Sequence, residues 1–134
     1  MNRAMIERLV ELGNRIGFLF IATADQNGMP HIASAGRAEL LPGDRFAVTE
    51  WFCPGTIANL RGNPHLSVVA WDSANDVGYQ LIGESEEIHD VAMMDGFEAG
   101  KAESAPLPQV ERRLIIRCEA VLEFKQRPHS DTPA

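Results

Sequence analysis

The segment Glu50-Trp51-Phe52-Cys53-Pro54-Gly55-Thr56 places two aromatic rings, a thiol and a hydroxyl where a predicted strand meets a predicted helix. Proline suits the first position of a helix, because its missing N–H has no partner there in any case. The free N–H groups and the dipole of a helix start favour a phosphate, to which Thr56 can donate its hydroxyl. Trp51 and Phe52 either pack in the core or flank a planar ring. The second alternative predicts a pocket for an aromatic ligand that carries a phosphate.

Other catalytic patterns have less support. The four histidines (His31, His65, His89 and His129) form no HxH or HExxH pattern and there is no CxxC, so we predict no metal site. Cys53 is a candidate nucleophile because the positive end of a helix lowers the pKa of a thiol. No partner base stands out, and the alternative is packing or ligand contact. Cys118 lies on the apolar face of a predicted strand. Catalytic residues therefore stay unassigned.

Composition excludes several classes of partner. The chain has 134 residues and a net charge of −7, and its twelve basic residues are scattered. A protein that binds the phosphate backbone usually shows a basic stripe, so we expect no nucleic-acid partner. The apolar run 16–24 is too short to span a membrane, and the first residues lack the layout of a signal peptide. With only two cysteines, we expect reduced thiols and a cytoplasmic location.

Hydrophobic periodicity predicts a mainly β protein with short helices. We expect a single domain over residues 1–126 and a polar, disordered tail over 127–134. The predicted helices are 3–13, 54–61 and 91–101, and the predicted strands are 18–24, 31–40, 45–50, 65–72, 79–90 and 112–124. Six closely spaced strands favour an antiparallel barrel. A doubly wound parallel sheet would need a helix after almost every strand.

Four segments, in this order, resemble the FMN-binding split-barrel proteins related to pyridoxamine 5'-phosphate oxidase. They are "IATADQNGMPHIA", "FAVTEWFCPGTIANLRGNPHLSVVAWD", "GYQLIGESEEI" and "RRLIIRCEAVLEF". The first is similar to the family's opening hairpin, and the second to its strand, phosphate-binding helix start and next strand. Together they cover about residues 16 to 124.

The resemblance implies a six-stranded antiparallel split barrel that forms a homodimer, with two FMN sites between the subunits. One face of the flavin ring would stay open to a small-molecule substrate or a second cofactor. The cofactor-binding residues that the resemblance implies are Ser34, Ala35, Gly36, Arg37, Glu50, Trp51, Phe52, Cys53, Gly55, Thr56 and, from the partner subunit, Gln80.

The sequence departs from the family pattern at Gly55, where relatives commonly place a lysine that neutralises the phosphate. Loss of such a charge-assisted contact would weaken binding about ten- to a hundredfold unless something replaces it. Glycine permits close approach of the backbone, and Arg37 is a candidate substitute cation. The leading hypothesis is an FMN-dependent oxidoreductase of unknown substrate. The alternatives are a non-catalytic ligand-binding or sensor protein that takes FMN, heme or a deazaflavin, and a purely structural dimer.

Overall fold

The computed structural model describes residues 3–94 and 109–134. It contains two helices and nine strands within those residues. In chain order these are α1 (Arg3–Ile16), β1 (Leu19–Ala24), β2 (Pro30–Ala35), β3 (Arg37–Leu40), β4 (Arg45–Trp51), α2 (Pro54–Gly62), β5 (His65–Asp72), β6 (Val77–Met94), β7 (Gln109–Glu123), β8 (Lys125–Gln126) and β9 (His129–Ser130).

Seven strands form one antiparallel sheet in the order β2-β1-β5-β6-β7-β4-β3. The two edge strands, β2 and β3, are consecutive in the chain and only Gly36 separates them. The sheet therefore curls until its two edges meet at one segment, which confirms the predicted mainly β split barrel.

The sheet has seven strands rather than the predicted six, because the predicted strand 31–40 is divided at Gly36. Ala33 and Ala35 face the core before the glycine, whereas Ala38 and Leu40 pack against the core after it. The alternation thus shifts by one residue at Gly36, as it does at a bulge or a sharp bend.

The barrel interior is filled by apolar side chains from facing strands, and helix α1 packs against it. Phe46, Leu81 and Leu114 are fully buried, as are Ile6 and Leu9 of α1. Burial of each such side chain contributes about 1.5–3 kcal/mol. The helix runs to Ile16, three residues beyond the predicted end, and stops before Gly17, whose φ is +95°. Within the described residues, no helix is long and apolar enough to cross a membrane.

The predicted helix 91–101 is wrong in its first part, since residues 91–94 continue strand β6. They pair with the start of β7, where Ala92 lies opposite Glu111. Three register shifts along this long hairpin disturb the strict alternation, which hid the strand from a periodicity argument. Residues 95–101 of that prediction lie outside the described residues.

The predicted disordered tail differs from the structure, in which β8 and β9 form a small hairpin. Asp76, between β5 and β6, accepts hydrogen bonds from the N–H groups of Gln126 at 2.9 Å and Arg127 at 2.7 Å. It also accepts one from Trp71 Nε1 at 3.1 Å. These bonds, chiefly that from Gln126, lower the pKa of Asp76. Long-range hydrogen bonds order a segment whose own composition favours disorder.

Candidate functional site

Helix α2 begins directly after β4 and presents its first residues to solvent. Ile57 and Leu60 anchor the helix in the core, whereas Cys53, Pro54 and Gly55 are exposed. The Cys53 side chain makes no capping hydrogen bond. The sequence therefore fixes the helix through its apolar residues and leaves its start open to a ligand.

Fewer backbone donors are free at this start than the sequence argument assumed. The Cys53 carbonyl accepts from the N–H of Thr56 at 3.1 Å and from that of Ile57 at 3.4 Å. Pro54 has no N–H to donate. Within the described residues, Gly55 N–H is the remaining first-turn donor and has no acceptor.

Two side chains at the same place carry buried polar atoms without a partner among the described residues. They are Thr56, which is fully buried, through Oγ1, and His31, through Nδ1. A Cβ built on Gly55 would lie 3.5 Å from His31 Nε2, so the imidazole sits beside the first turn of α2. Buried polar groups without partners are uncommon in native proteins and call for an explanation.

Strand β2 brings His31 to the helix. His31 pairs with Thr23 of β1 and lies on the same inner side of its strand as the buried Ala33. Asn59 of α2 donates from Nδ2 to Thr23 Oγ1 at 3.1 Å, which holds the helix over this part of the barrel. Sequence reasoning did not assign His31 to the site. The sequence signal that could have indicated His31 was its position directly after Pro30, just beyond the predicted Asn27-Gly28 turn.

The aromatic pair predicted for the flavin ring has divided roles. Phe52 is 6% exposed and belongs to the hydrophobic core. Of the two alternatives predicted for it, core packing or contact with a planar ring, the structure favours core packing. Trp51 is half-buried at the end of β4, and its backbone N–H donates to its neighbour Glu50 Oε1 at 2.9 Å. Trp51 is therefore the member of the pair with surface left for a ligand.

The predicted residues around Gly36 lie next to this aromatic. A Cβ on Gly36 would be 2.8 Å from Glu50 Oε2, so the glycine makes room for that carboxylate. Arg37 Nη2 forms an ion pair with Glu111 Oε2 at 3.3 Å. The Arg37 side chain is 70% exposed, so this pair contributes little to stability. Ala35 is buried in the barrel.

Ser34 and Gln80 lie elsewhere, on the outer face of the sheet. The strand register joins Ser34 to Phe20, Phe20 to Val69, and Val69 to Gln80. Three inter-strand steps separate Ser34 from Gln80 by about 14 Å. Gln80 donates from Nε2 to Ser67 Oγ at 2.8 Å.

Gln80 also lines an open pocket of about 510 Å³. Its apolar wall contains Trp71 and Phe124, whose rings meet edge to face with centroids 5.8 Å apart. The C-terminal hairpin supplies the polar wall of this pocket, with Lys125 and His129 among its residues. Gln80 therefore faces a second pocket and not the start of α2.

One cluster combines residue types that bind metals, although the sequence predicts no metal site. His65, Glu84 and Glu119 have ligand atoms within 4.8 Å of one another. Arg117 Nη2, however, lies 3.0 Å from Glu84 Oε2 and 3.5 Å from Glu119 Oε1. The cluster is therefore a cross-strand ion-pair network. Its members come from adjacent strands, and sequence spacing could not reveal it.

The sequence profile of pyridoxamine 5'-phosphate oxidase matches residues 5–124 of this chain. The chain belongs to that family. This match confirms the resemblance that the four sequence segments indicated, and it includes both the start of α2 and the outer face of the sheet.

Solved structures show the same fold at low sequence identity. An FMN-binding protein from Syntrophomonas wolfei subsp. wolfei has a TM-score of 0.67 and 20% identity, with 93% of this chain and 89% of that chain covered. HupZ from Group A Streptococcus has a TM-score of 0.64 and 18% identity, with 94% and 97% covered. A protein named F420 Reductase has a TM-score of 0.58 and 18% identity, with 86% and 94% covered. No protein with curated annotation matches the sequence.

Proposed function

We propose that this member of the pyridoxamine 5'-phosphate oxidase family binds FMN, with the flavin phosphate at the start of α2. The observation that supports the proposal is that the Gly55 N–H and the Thr56 hydroxyl, in the first turn of α2, have no partner in the described residues and that His31 Nε2 lies beside Gly55. A phosphate can accept several hydrogen bonds, and a helix start favours its negative charge. The residues present therefore fit a phosphate-bearing cofactor.

The flavin ring would extend from this helix start toward Trp51. The half-buried indole offers an apolar surface, and Gly36 leaves the neighbouring strand without a side chain. Glu50 places a carboxylate between them, which favours a neutral ring edge over a second anion. When bound, FMN supplies hydride or electron transfer, and the protein supplies binding and orientation. The proposed activity is that of an oxidoreductase.

A homodimer is the proposed assembly. The outer face of β1 and β2 exposes Phe20 at 44% and Ile32 at 67%, and Phe18, just before β1, is 42% exposed. Adjacent exposed apolar side chains of this size mark an interaction surface. Gln80 lies on the same row of the outer face as Phe20, so a dimer through this face would bring Gln80 to the site of the other subunit. The pocket beside Gln80 would then take the substrate or a second cofactor.

A deazaflavin is the second candidate ligand. The solved structure named F420 Reductase shares the fold, and the start of α2 lacks a lysine among residues 53–56. A protein that binds such a ligand without turnover would keep the same pocket. This alternative differs from the first in ligand preference and in the presence of a reaction.

Absorbance of the freshly purified protein, followed by titration of the apo form with FMN, riboflavin and F420, tests the proposal. We expect flavin bands and tighter binding of FMN than of riboflavin. Preference for F420 would favour the second candidate, and no saturable binding of any of the three would contradict both. Sedimentation analysis of the same sample tests the homodimer, which a monomer at micromolar concentration would contradict.

A further inference from the structure

We propose that His31 is the side chain that binds the phosphate and so makes the site distinguish FMN from riboflavin. This inference rests on the proposed function. It assigns the contact with the FMN phosphate to a residue that the sequence did not predict for the site. It replaces Arg37, the substitute cation that the sequence suggested.

The position of His31 supports this role. Its imidazole reaches the first turn of α2 from a different element, strand β2, and packs within van der Waals range of the position that a side chain at 55 would take. Nε2 is the ring nitrogen beside Gly55, whereas Nδ1 is buried and has no hydrogen-bond partner in residues 3–94 or 109–134. A ligand at the helix start would give the ring a partner that the described protein does not provide.

The second observation is the Thr56 hydroxyl, which is buried in the same turn and also lacks a partner among the described residues. The buried Thr56 hydroxyl and the half-buried His31 ring, which come from two elements, thus lie at one helix start. A helix start alone would not identify a ligand, but these groups can donate hydrogen bonds, which a phosphate accepts.

The arginines nearest in the sequence have other neighbours in the structure. Arg37 pairs with Glu111, and Arg61 lies in the last turn of α2. The helix has nine residues, so its two ends are about 12 Å apart. Asp25, the acidic residue near the end of β1, directs Oδ1 to the N–H groups of Asn27 and Met29 and so is engaged in its own turn. His31 is thus a described basic side chain that the geometry places beside the first turn of α2.

The test compares FMN with riboflavin in His31→Ala and His31→Gln. Because the two ligands differ only by the phosphate, the ratio of their dissociation constants isolates the contact between His31 and the phosphate. We expect His31→Ala to weaken FMN about ten- to a hundredfold, the range of a charge-assisted contact, and to leave riboflavin nearly unchanged. His31→Gln, which keeps a donor without a charge, should show an intermediate loss.

Gly55→Lys in the His31→Ala background provides a rescue. Position 55 is exposed, and its Cβ would make an ordinary contact with the ring in the wild-type protein. A lysine there should restore preference for FMN over riboflavin. Failure of the rescue in a folded variant would contradict a phosphate position at the start of α2.

His89→Ala is the matched control, because His89 is an exposed histidine on β6 whose Nε2 contacts Glu87 at 3.2 Å. It should leave both affinities unchanged. Thermal melting without flavin establishes that each variant is folded, and the imidazole nitrogen signals of His31 should shift with FMN but not with riboflavin.

The outcomes separate the two proposals. If His31→Ala weakens the binding of FMN and riboflavin equally, or of neither, the role of His31 is overturned. The proposal that the protein binds FMN would still stand. Absence of FMN binding by the wild-type protein would overturn the proposed function and this inference with it.

Discussion

The start of α2 and the C-terminal hairpin are both short and polar, but their hydrogen bonding is opposite. At the start of α2, Thr56 Oγ1 and His31 Nδ1 are buried without partners among the described residues. In the hairpin, the N–H groups of Gln126 and Arg127 donate to Asp76, and Ser130 Oγ donates to Glu123 Oε2 at 2.6 Å.

The comparison shows that pocket size and readiness to bind are separate properties. The hairpin borders the 510 Å³ pocket. Many polar groups of the C-terminal segment, however, already form the hydrogen bonds that hold the hairpin to the rest of the sheet. The start of α2 has polar atoms that nothing in the described protein satisfies. A ligand that forms those hydrogen bonds gains their energy without breaking existing ones.

Among the changes that compare these two regions, Thr56→Val has the largest expected effect. Removal of a buried hydroxyl without a partner should raise the free energy of unfolding of the apo protein by about 1–2 kcal/mol, or a few degrees in Tm. The same change should weaken FMN about tenfold relative to riboflavin. Thermal melting and flavin titration measure the two effects. Thr56→Ser, which keeps the hydroxyl, is the control, and a less stable apo Thr56→Val protein would show that Oγ1 has a partner.

Asp76→Asn should give the next largest effect, confined to the hairpin. Asn tolerates the φ of +52° at this position but replaces one acceptor oxygen with a donor. Hydrogen exchange of the Gln126 and Arg127 amides should speed up about tenfold, whereas preference for FMN over riboflavin should not change. A changed preference would show that the two regions are coupled.

The same carboxylate gives the hairpin a pH dependence. The pKa of Asp76 is lower in the folded protein than its ordinary value. The anchoring is therefore fully present above about pH 4 and is lost as the pH falls through the lowered pKa. Exchange at the two amides should accelerate on acidification in the wild-type protein and less so in Asp76→Asn.

The smallest expected effect concerns the two thiols. Cys53 is exposed at the start of α2, whereas Cys118 is buried in β7 and burial raises its pKa to about 11. A thiol reagent at pH 8 should modify Cys53 and leave Cys118 until the protein unfolds. FMN should slow the reaction of Cys53 a few-fold and riboflavin should slow it less. Cys53→Ser is the control, and an FMN-independent rate would place the ligand away from the helix start.

Much of the fold was accessible from the sequence, because strand alternation and turn residues are local signals. The Asn27-Gly28 turn, the helix after Pro54 and the strand 65–72 all lie where the pattern placed them. The extension of β6 through residues 91–94 was missed, since its register shifts break the alternation. The hairpin at residues 125–130 was missed because Asp76, about fifty residues earlier in the chain, provides the hydrogen bonds that order it.

By itself, the sequence determined the family, the antiparallel barrel and the helix start at Pro54, because each depends on motifs or periodicities within a short span. Only the tertiary structure decided which side chains meet at that helix start. It paired Arg37 with Glu111, buried Phe52 in the core and brought His31 from β2 to Gly55. Contacts between residues more than twenty positions apart depend on how the sheet curls and on where α2 packs across it, and no local pattern encodes those distances.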